Sequence, residues 1–530
     1  MSEPPAAYHD LATLVRDKAR RNTDKVALRF PDGDLTYRAL DERSGQIANG
    51  LRGAGLPRGG RVAALLFNCR AFVELWFGAA KAGIVLVPLN TGLKGSILRY
   101  ELDDAAPQGI VIDRRLWDTY AAVREPRRIG REWVVELEPN AAPLPAGVEG
   151  WPSLGDGPTH FGEPAPAPWD PVSILYTSGT TGPPKGALIP HEKVLRTPYE
   201  IAARSRLTSD SVLFTGLPLF HCNAQEMTTI PALLNDLTAC FEERFHASTY
   251  WETAARYGAT HVSLLISMIN VLYKQPERAT DRTHRVRVAL TAGATREVWP
   301  KFEARFGVSI IELYGMTECG CTTLMNPPDA VRVGSVGTPL GFVEAAVVDD
   351  EDRPVADGER GELVVRPRAP NTMFLGYVNK AEQTVAAVRN LWFHTGDYVT
   401  RDVDGYYYFV DRKKDVIRRR GENLAPYDVE SVLNRHPAVF ESVVVGVPSP
   451  LGEEDVKAFV QLRPGASAEP RELFEFCAQE LPFFMVPRYL EFLDEIPKTA
   501  NQKAQRYLLK GRRGEGEHDR EALGIAVRRS

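Results

Sequence analysis

Tyr176-Thr-Ser-Gly-Thr-Thr-Gly-Pro-Pro-Lys-Gly186 follows directly on the apolar run Ser173–Tyr176. A strand that runs into glycines and short hydroxyl residues offers backbone N–H groups and hydroxyls to a phosphate chain, with no bulky side chain in the way. Lys185 adds a positive charge at the far end of the loop. A Gly/Ser loop alone is ordinarily a surface turn. This one is not a Walker loop, because Lys185 lacks the Gly before it and the Ser or Thr after it.

Upstream of this loop, strand and helix take turns. Leu40, Ile47 and Leu51 recur at helical spacing on a segment that stops at Gly53 and Gly55. A strand at Val62–Phe67, an apolar helix at Ala71–Ala82 and a strand at Ile84–Pro88 follow. That alternation predicts a parallel sheet covered by helices. Pro139 to Pro171 is rich in Pro, Gly and Ala and reads as an irregular surface connection. Alternation resumes from Ser173 to about Gly315.

Beyond residue 336 strands dominate, at Ala345–Val348, Glu362–Val365 and Tyr406–Val410, and predict a small antiparallel barrel or sheet. The charged stretch Asp411-Arg-Lys-Lys-Asp415 leads into a compact α+β unit. Its parts are helices at Asp428–Arg435 and Arg471–Leu481, with strands at Ser442–Val447, Val456–Leu462 and Tyr489–Leu493. The expected division is an N-terminal domain over 1–412, a hinge at 413–414, a mobile C-terminal domain over 415–512 and a disordered charged tail over 513–530.

At 530 residues the chain is too long for one ordinary core. Its 44% hydrophobic and 25% charged residues are those of a soluble globular protein. A net charge of −5 gives no reason to expect a nucleic-acid or anionic-membrane partner. The start MSEPPAAYHD lacks a secretory pattern, and no apolar run approaches the ~20 residues that cross a bilayer. The six cysteines have no metal-ligand spacing. They are read as reduced thiols, and the protein as cytoplasmic.

Four further motifs follow the loop in order: Tyr314-Gly-Met-Thr-Glu318, Thr395-Gly-Asp397, Arg412 fifteen residues on, and Pro497-Lys-Thr-Ala-Asn-Gln-Lys503. With the loop, this set resembles the adenylate-forming superfamily of acyl-CoA synthetases, firefly luciferase and peptide-synthetase adenylation domains. The resemblance implies that Thr177, Ser178, Gly179, Thr180, Thr181, Gly182 and Lys185 hold the phosphates of ATP. It places Gly293, Ala294, Glu312, Tyr314, Gly315 and Met316 about the nucleotide and Thr317 on the α-phosphate. Glu318, with Thr177, would hold Mg²⁺, a hard cation that takes oxygen ligands. Asp397 and Arg412 would bind the ribose, and Lys414 falls on the hinge. Lys503 would be the catalytic lysine of adenylation, offsetting charge in the transition state. Gln502 stands where the family commonly has Gly.

Leu217-Pro-Leu-Phe-His221 resembles the segment whose histidine gates the acyl pocket in acyl-CoA synthetases, which adds His221 to the catalytic set. Arg418-Arg-Arg-Gly-Glu-Asn423 corresponds to the hairpin that enters for thioester formation, with Gly421 and Arg420 along the CoA channel. The three arginines suit either CoA phosphates or a solvated edge. The acyl pocket is drawn from Phe220, His221, Gln225, Leu265, Ile266, Ala292, Gly293 and Met316, and its apolar lining suits an apolar acid. The combination looks closest to crotonobetaine/carnitine-CoA ligase-like members.

The implied fold is α/β, with two α/β subdomains and a β-barrel in the large domain and a mobile α+β domain after it. The implied reaction is ATP-dependent ligation of a carboxylic acid to CoA through an acyl-adenylate. Two alternatives stay open at this stage: loading of a separate carrier protein, and a catalytically silent nucleotide-binding relative. A homodimer also stays open, since no motif speaks to it.

Overall fold

The computed structural model describes residues 8–125, 129–137, 143–177, 183–294, 296, 298–412, 417–424, 426–450, 452–497, 506–512, 514 and 516–527. The alternating segments build two sheets. One has eight strands, in the spatial order Gly376–Tyr377, Lys185–Pro190, Pro171–Thr177, Val85–Pro88, Arg61–Leu65, Gly109–Asp113, Arg131–Val135 and Glu149–Gly150. From Pro171–Thr177 to Glu149–Gly150 its neighbours pair in parallel. Strands Val85–Pro88 and Gly109–Asp113 are buried at every position, as a parallel sheet covered on both faces requires. The other sheet has nine strands, and its centre, from Val212–Thr215 through His261–Leu265 and Val288–Ala292 to Ser309–Met316, is also parallel.

Helix Tyr37–Gly53 begins where the Thr36 side chain accepts the Ala39 N–H at 3.0 Å. It packs on helix Arg70–Lys81, which is buried from Ala71 to its end. The two charges that helix carries inward are matched. Lys81 Nζ donates to the Asp41 carbonyl at 2.6 Å, and Glu74 meets Arg43 at 3.2 Å. The expected irregular connection contributes a short strand, Glu149–Gly150, and a helix turn, Trp151–Leu154, which finish the edge of the eight-stranded sheet.

Strands Val343–Val348, Arg360–Pro367, Trp392–Arg401 and Tyr407–Arg412, with Val388–Arg389, form an antiparallel sheet. Burial alternates along most of Trp392–Arg401, as in a sheet with one wet face. The C-terminal unit has a hairpin, Ile417–Arg419 with Glu422–Leu424. Beside it lies a four-stranded sheet: Val439–Pro448, Glu454–Leu462, Tyr489–Phe492 and Glu517–Asp519. Helices Pro426–Leu433 and Pro470–Glu480 complete the unit.

The charged end departs from its expected disorder. Glu517–Asp519 is the sheet's fourth strand, with Tyr489 opposite Asp519. The Arg520 guanidinium is buried and donates to the carbonyls of Pro487 at 3.1 Å and Ile525 at 2.7 Å. Charge in the sequence suggested solvent, whereas here Arg520 closes on two carbonyls and Glu517 meets Lys457 at 2.6 Å. This unit rests on helix Gly95–Ala105. Ile97, Leu98 and Leu102 share one apolar cluster with Phe474, Cys477 and Leu481, and Arg435 reaches Ser96 at 3.4 Å.

Candidate active site

A cavity of about 1470 Å³ opens where the sheets and the C-terminal unit meet. Strands Pro171–Thr177 and Lys185–Pro190 pair antiparallel with Thr177 opposite Lys185, so both ends of the phosphate-loop motif stand on its wall. Ser178, Gly179, Thr180, Thr181 and Gly182 lie outside the described residues. Thr177 Oγ1 donates to Glu318 Oε1 at 3.2 Å, and the Tyr377 hydroxyl donates to the same oxygen at 2.8 Å. Burial and the Glu318 carboxylate hold the Tyr377 phenol well above its ordinary range, so it stays a protonated donor. Lys185 Nζ stands 4.8 Å from the Tyr377 ring.

Among the described residues no cluster of three His, Cys, Asp or Glu could hold a metal. One carboxylate beside one hydroxyl nevertheless fits Mg²⁺, which keeps waters and takes its other ligands from substrate phosphates.

The wall expected to take the nucleotide is built on a hairpin. Ser309–Met316 and Gly320–Met325 pair antiparallel with Met316 opposite Gly320. A Cβ at Gly315 would sit 2.2 Å from the Cys321 carbonyl oxygen, so only glycine lets the strands close there. Tyr314 OH donates to Asp397 Oδ2 at 2.6 Å, and Thr395 Oγ1 accepts the Asp397 N–H at 3.2 Å. Asp397 lies opposite Arg412 in the register, which places the backbone of the two ribose candidates side by side. The Arg412 side chain is outside the described residues.

Glu312 accepts the Ala294 N–H at 3.1 Å, and also the Gly293 N–H and the Thr291 hydroxyl. Burial pushes its carboxyl up to about 8, against the pull of those donors. Glu312 therefore shapes the Thr291–Ala294 turn, where Gly293 sits at φ 96°. Glu312, Ala292, Gly293, Tyr314, Gly315, Met316 and Thr317 line the cavity, and Ala294 stands behind it.

Of the residues expected to form the acyl pocket, Phe220, His221, Leu265, Ala292, Gly293 and Met316 line the cavity, joined by Cys222, Asn223 and Leu313. Gln225 does not. Its amide donates to the Leu219 carbonyl at 2.7 Å, because the chain winds as a π-helix over Ala224–Thr229 and turns that side chain back on its own segment. The Ile266 side chain is outside the described residues.

His221 Nε2 meets Glu422 Oε2, on the C-terminal hairpin, at 2.9 Å. Burial opposes charge on the ring, but the Glu422 carboxylate outweighs it and the histidine is raised above 6.5. Gly421, at φ 82°, lines the cavity, and its N–H donates to Glu453 Oε2 at 3.0 Å.

The three arginines before Gly421 part company. Arg418 lines the cavity. Arg419 is buried and donates to Asp455 at 3.1 Å and to the Val486 carbonyl at 2.6 Å. Arg420 is exposed over the Phe483 ring, outside the cavity lining. Lys414 and Lys503 lie outside the described residues. Sequence reasoning missed Tyr377 and Glu422 as contacts. Tyr377 sits on a two-residue strand whose only signal is its pairing with Ala187.

Residues 15–378 match the AMP-binding enzyme family and residues 428–503 its C-terminal domain. The chain belongs to the AMP-binding enzyme family. Within it, the chain stands in the adenylate-forming acyl-CoA ligase branch. A crotonobetaine/carnitine–CoA ligase of Salmonella choleraesuis (strain SC-B67) is 32% identical over 515 residues, 93% of this chain and 97% of the relative.

Two solved structures extend the likeness. A double mutant of o-succinylbenzoate CoA synthetase from Bacillus subtilis, bound with a product analogue, superposes with TM-score 0.80 at 24% identity, covering 95% and 99% of the two chains. ATP-bound MatB from Rhodopseudomonas palustris superposes with TM-score 0.68 at 28% identity, covering 95% and 98%. ATP and CoA are substrates in this branch, and Mg²⁺ is its usual ion. No helix among the described residues is long and apolar enough to cross a membrane.

Proposed function

We propose that this one cavity carries both half-reactions of an ATP-dependent carboxylic acid–CoA ligase. The observation that carries the reading is the sharing of walls. Thr177, Glu318, Tyr314 and Asp397 stand on one side, and Gly421 and Glu422 of the C-terminal hairpin on another. In the first half-reaction the acid's carboxylate attacks the α-phosphorus of ATP and pyrophosphate leaves. Glu318 and Thr177 would hold Mg²⁺, which would supply charge that offsets the phosphates. Asp397 and Arg412 hold the ribose, Thr317 the α-phosphate, and Lys503 the developing charge on the acid. In the second half-reaction the CoA thiol attacks the acyl carbon and AMP leaves.

The His221–Glu422 contact supports an orientation in which the hairpin closes the acyl side for thioester formation. The chain would divide at a hinge around Lys414, between domains over 1–412 and 415–512. Leu265, Ala292, Leu313 and Met316 favour an apolar acyl group. Six free thiols among the described residues suit a reducing cytoplasm. Assembly as a homodimer is also proposed, with sedimentation as its direct check.

Acid-dependent ATP–pyrophosphate exchange, run over short, medium, long, aromatic and alicyclic acids and followed by CoA, tests the reading. Exchange and thioester with the same acid is the expected result. Exchange followed by transfer only to a carrier protein, or tight ATP binding without exchange on any acid, would overturn it.

A further inference from the structure

Lys193 and Glu226 form an ion pair whose side chains are both wholly buried, with Lys193 Nζ 2.6 Å from Glu226 Oε1. Neither residue lines the cavity, and neither is assigned a part in the two half-reactions. Burial opposes charge on Lys193, but Glu226 outweighs it and the ammonium is held above its ordinary value. The attraction within such a pair only roughly offsets the cost of taking two charges out of water, and apolar residues of the same volume often stabilise a core as well. Stability is therefore a poor reason for the pair. Fixing the register between elements is a better one.

The elements it joins carry one wall of the cavity. Lys193 lies on helix His191–Arg204 and Glu226 on the π-helix Ala224–Thr229. The second oxygen, Glu226 Oε2, accepts the Cys321 N–H of strand Gly320–Met325 at 3.3 Å. Cys321 lines the cavity itself, and Cys222 and Asn223 line it just ahead of the π-helix. Asn223 is gripped on both sides, since Oδ1 accepts the Ser263 hydroxyl at 2.6 Å and Nδ2 donates to Met227 Sδ at 3.1 Å.

Lys193, Thr197 and Ile201 share one fully buried helix face. That face presses on the strand at Gly320, where a Cβ would stand 2.9 Å from Thr197 Oγ1. Ile201 packs in one apolar cluster with Met227, Leu313 and Cys321.

Given the ligase reading of this cavity, on which this rests, we propose that Lys193 and Glu226 are positioning residues that fix the wall of Cys222, Asn223 and Cys321 and so set the length of acyl chain the cavity accepts. Glu226 acts as a fork. One oxygen is held by the ammonium of the helix and the other by an amide of the strand, so the π-helix cannot slide along either. A wall held at one depth rejects an acid one methylene too long, and a wall that gives admits it.

The test compares the native protein with Lys193→Met/Glu226→Leu, Lys193→Met/Glu226→Gln and Val194→Ala, each checked for folding by melting. Val194 is buried on the same helix but in a different apolar cluster. ATP–pyrophosphate exchange gives kcat/KM along homologous straight-chain and ω-phenyl monocarboxylic acids. In the Leu double variant the preference for the best native acid over its next longer homologue should fall about ten-fold, with KM for ATP unchanged. In the Gln double variant the amide oxygen can still accept the Cys321 N–H, so the preference should stay near native, as it should in Val194→Ala. Hydrogen exchange over residues 320–325 needs no acid: protection of the Cys321 amide should fall in the Leu double variant and persist in the Gln one. An unchanged preference or an unchanged Cys321 amide in the Leu double variant, or the same shift in Val194→Ala, would overturn the proposal with the ligase activity intact. Native protein that exchanges with no acid would instead overturn the ligase reading, and the proposal with it.

Discussion

Replacing Glu422 by Gln separates the two half-reactions. Gln keeps the length of the side chain and can still accept a hydrogen bond from His221 Nε2, now at 2.9 Å from Glu422 Oε2, so what is lost is the charge. A hydrogen bond to a charged group is worth about 1.5–3 kcal/mol. The His221 side chain keeps 38% of its surface open to the cavity, so solvent screening brings the difference to about 1 kcal/mol. That corresponds to about a five-fold change in the population of the orientation that holds the hairpin at the site.

The assay is single-turnover conversion of supplied acyl-AMP and CoA to thioester, set beside ATP–pyrophosphate exchange. The variant should lose about five-fold in the first while the second stays within about two-fold. The pH profile adds a second reading. Contact with Glu422 raises His221, so its stabilisation is fully present below the ordinary value of 6.5 and fades as pH rises through the raised value. Wild-type thioester formation should show that decline and Glu422→Gln should flatten it. Equal loss in both half-reactions, or an unchanged profile, would refute a role for this contact in orientation.

Other perturbations have distinct signatures. Tyr377→Phe removes the 2.8 Å donor to Glu318 and should weaken apparent Mg²⁺ affinity in exchange about five-fold, near 1 kcal/mol, with Mg²⁺ titration as the check. Lys193→Met leaves Glu226 buried without its cation and should cost about 3–5 kcal/mol of stability in denaturant unfolding. Lys193→Met with Glu226→Leu should recover most of that loss; no recovery would mean the pair has another structural duty. Lys503→Ala should abolish exchange yet still turn supplied acyl-AMP and CoA into thioester. Equal loss of both would sink its assignment to adenylation.

Long apolar elements were readable because burial on both faces leaves a continuous run. The helix over Arg70–Lys81 and the strand Val85–Pro88 fall within a residue or two of where periodicity puts them. Tyr314 and Asp397 were each readable from their own motifs, although their 2.6 Å contact, between strands of two different sheets, was not. Other contacts between distant segments were hidden too. Tyr377 reaches Glu318 only because Gly376–Tyr377 adds a strand beside Ala187 and Leu188, and two residues carry no period. Gln225 has the right place in its motif, yet the π-helix turns it toward Leu219. Arg418, Arg419 and Arg420 look alike as a charge run. The alternation of a strand, followed by a residue at φ 56°, sends them into the cavity, the core and solvent in turn.

The two carboxylates assigned to the nucleotide share a physical device. Glu318 accepts from the Tyr377 phenol and Asp397 from the Tyr314 phenol, and burial holds both phenols well above their ordinary range. A phenol kept protonated at neutral pH fixes a carboxylate oxygen in place without cancelling its charge, as a lysine or arginine in the same position would. Charge is what Mg²⁺ and a pair of ribose hydroxyls need from these groups, and a fixed rotamer spares the reorganisation that binding would otherwise require. Phenylalanine at either tyrosine should therefore keep the carboxylate's charge and lose its aim. Binding of Mg²⁺ or ATP should weaken several-fold, whereas Glu318→Gln and Asp397→Asn, which remove the charge itself, should do far more damage.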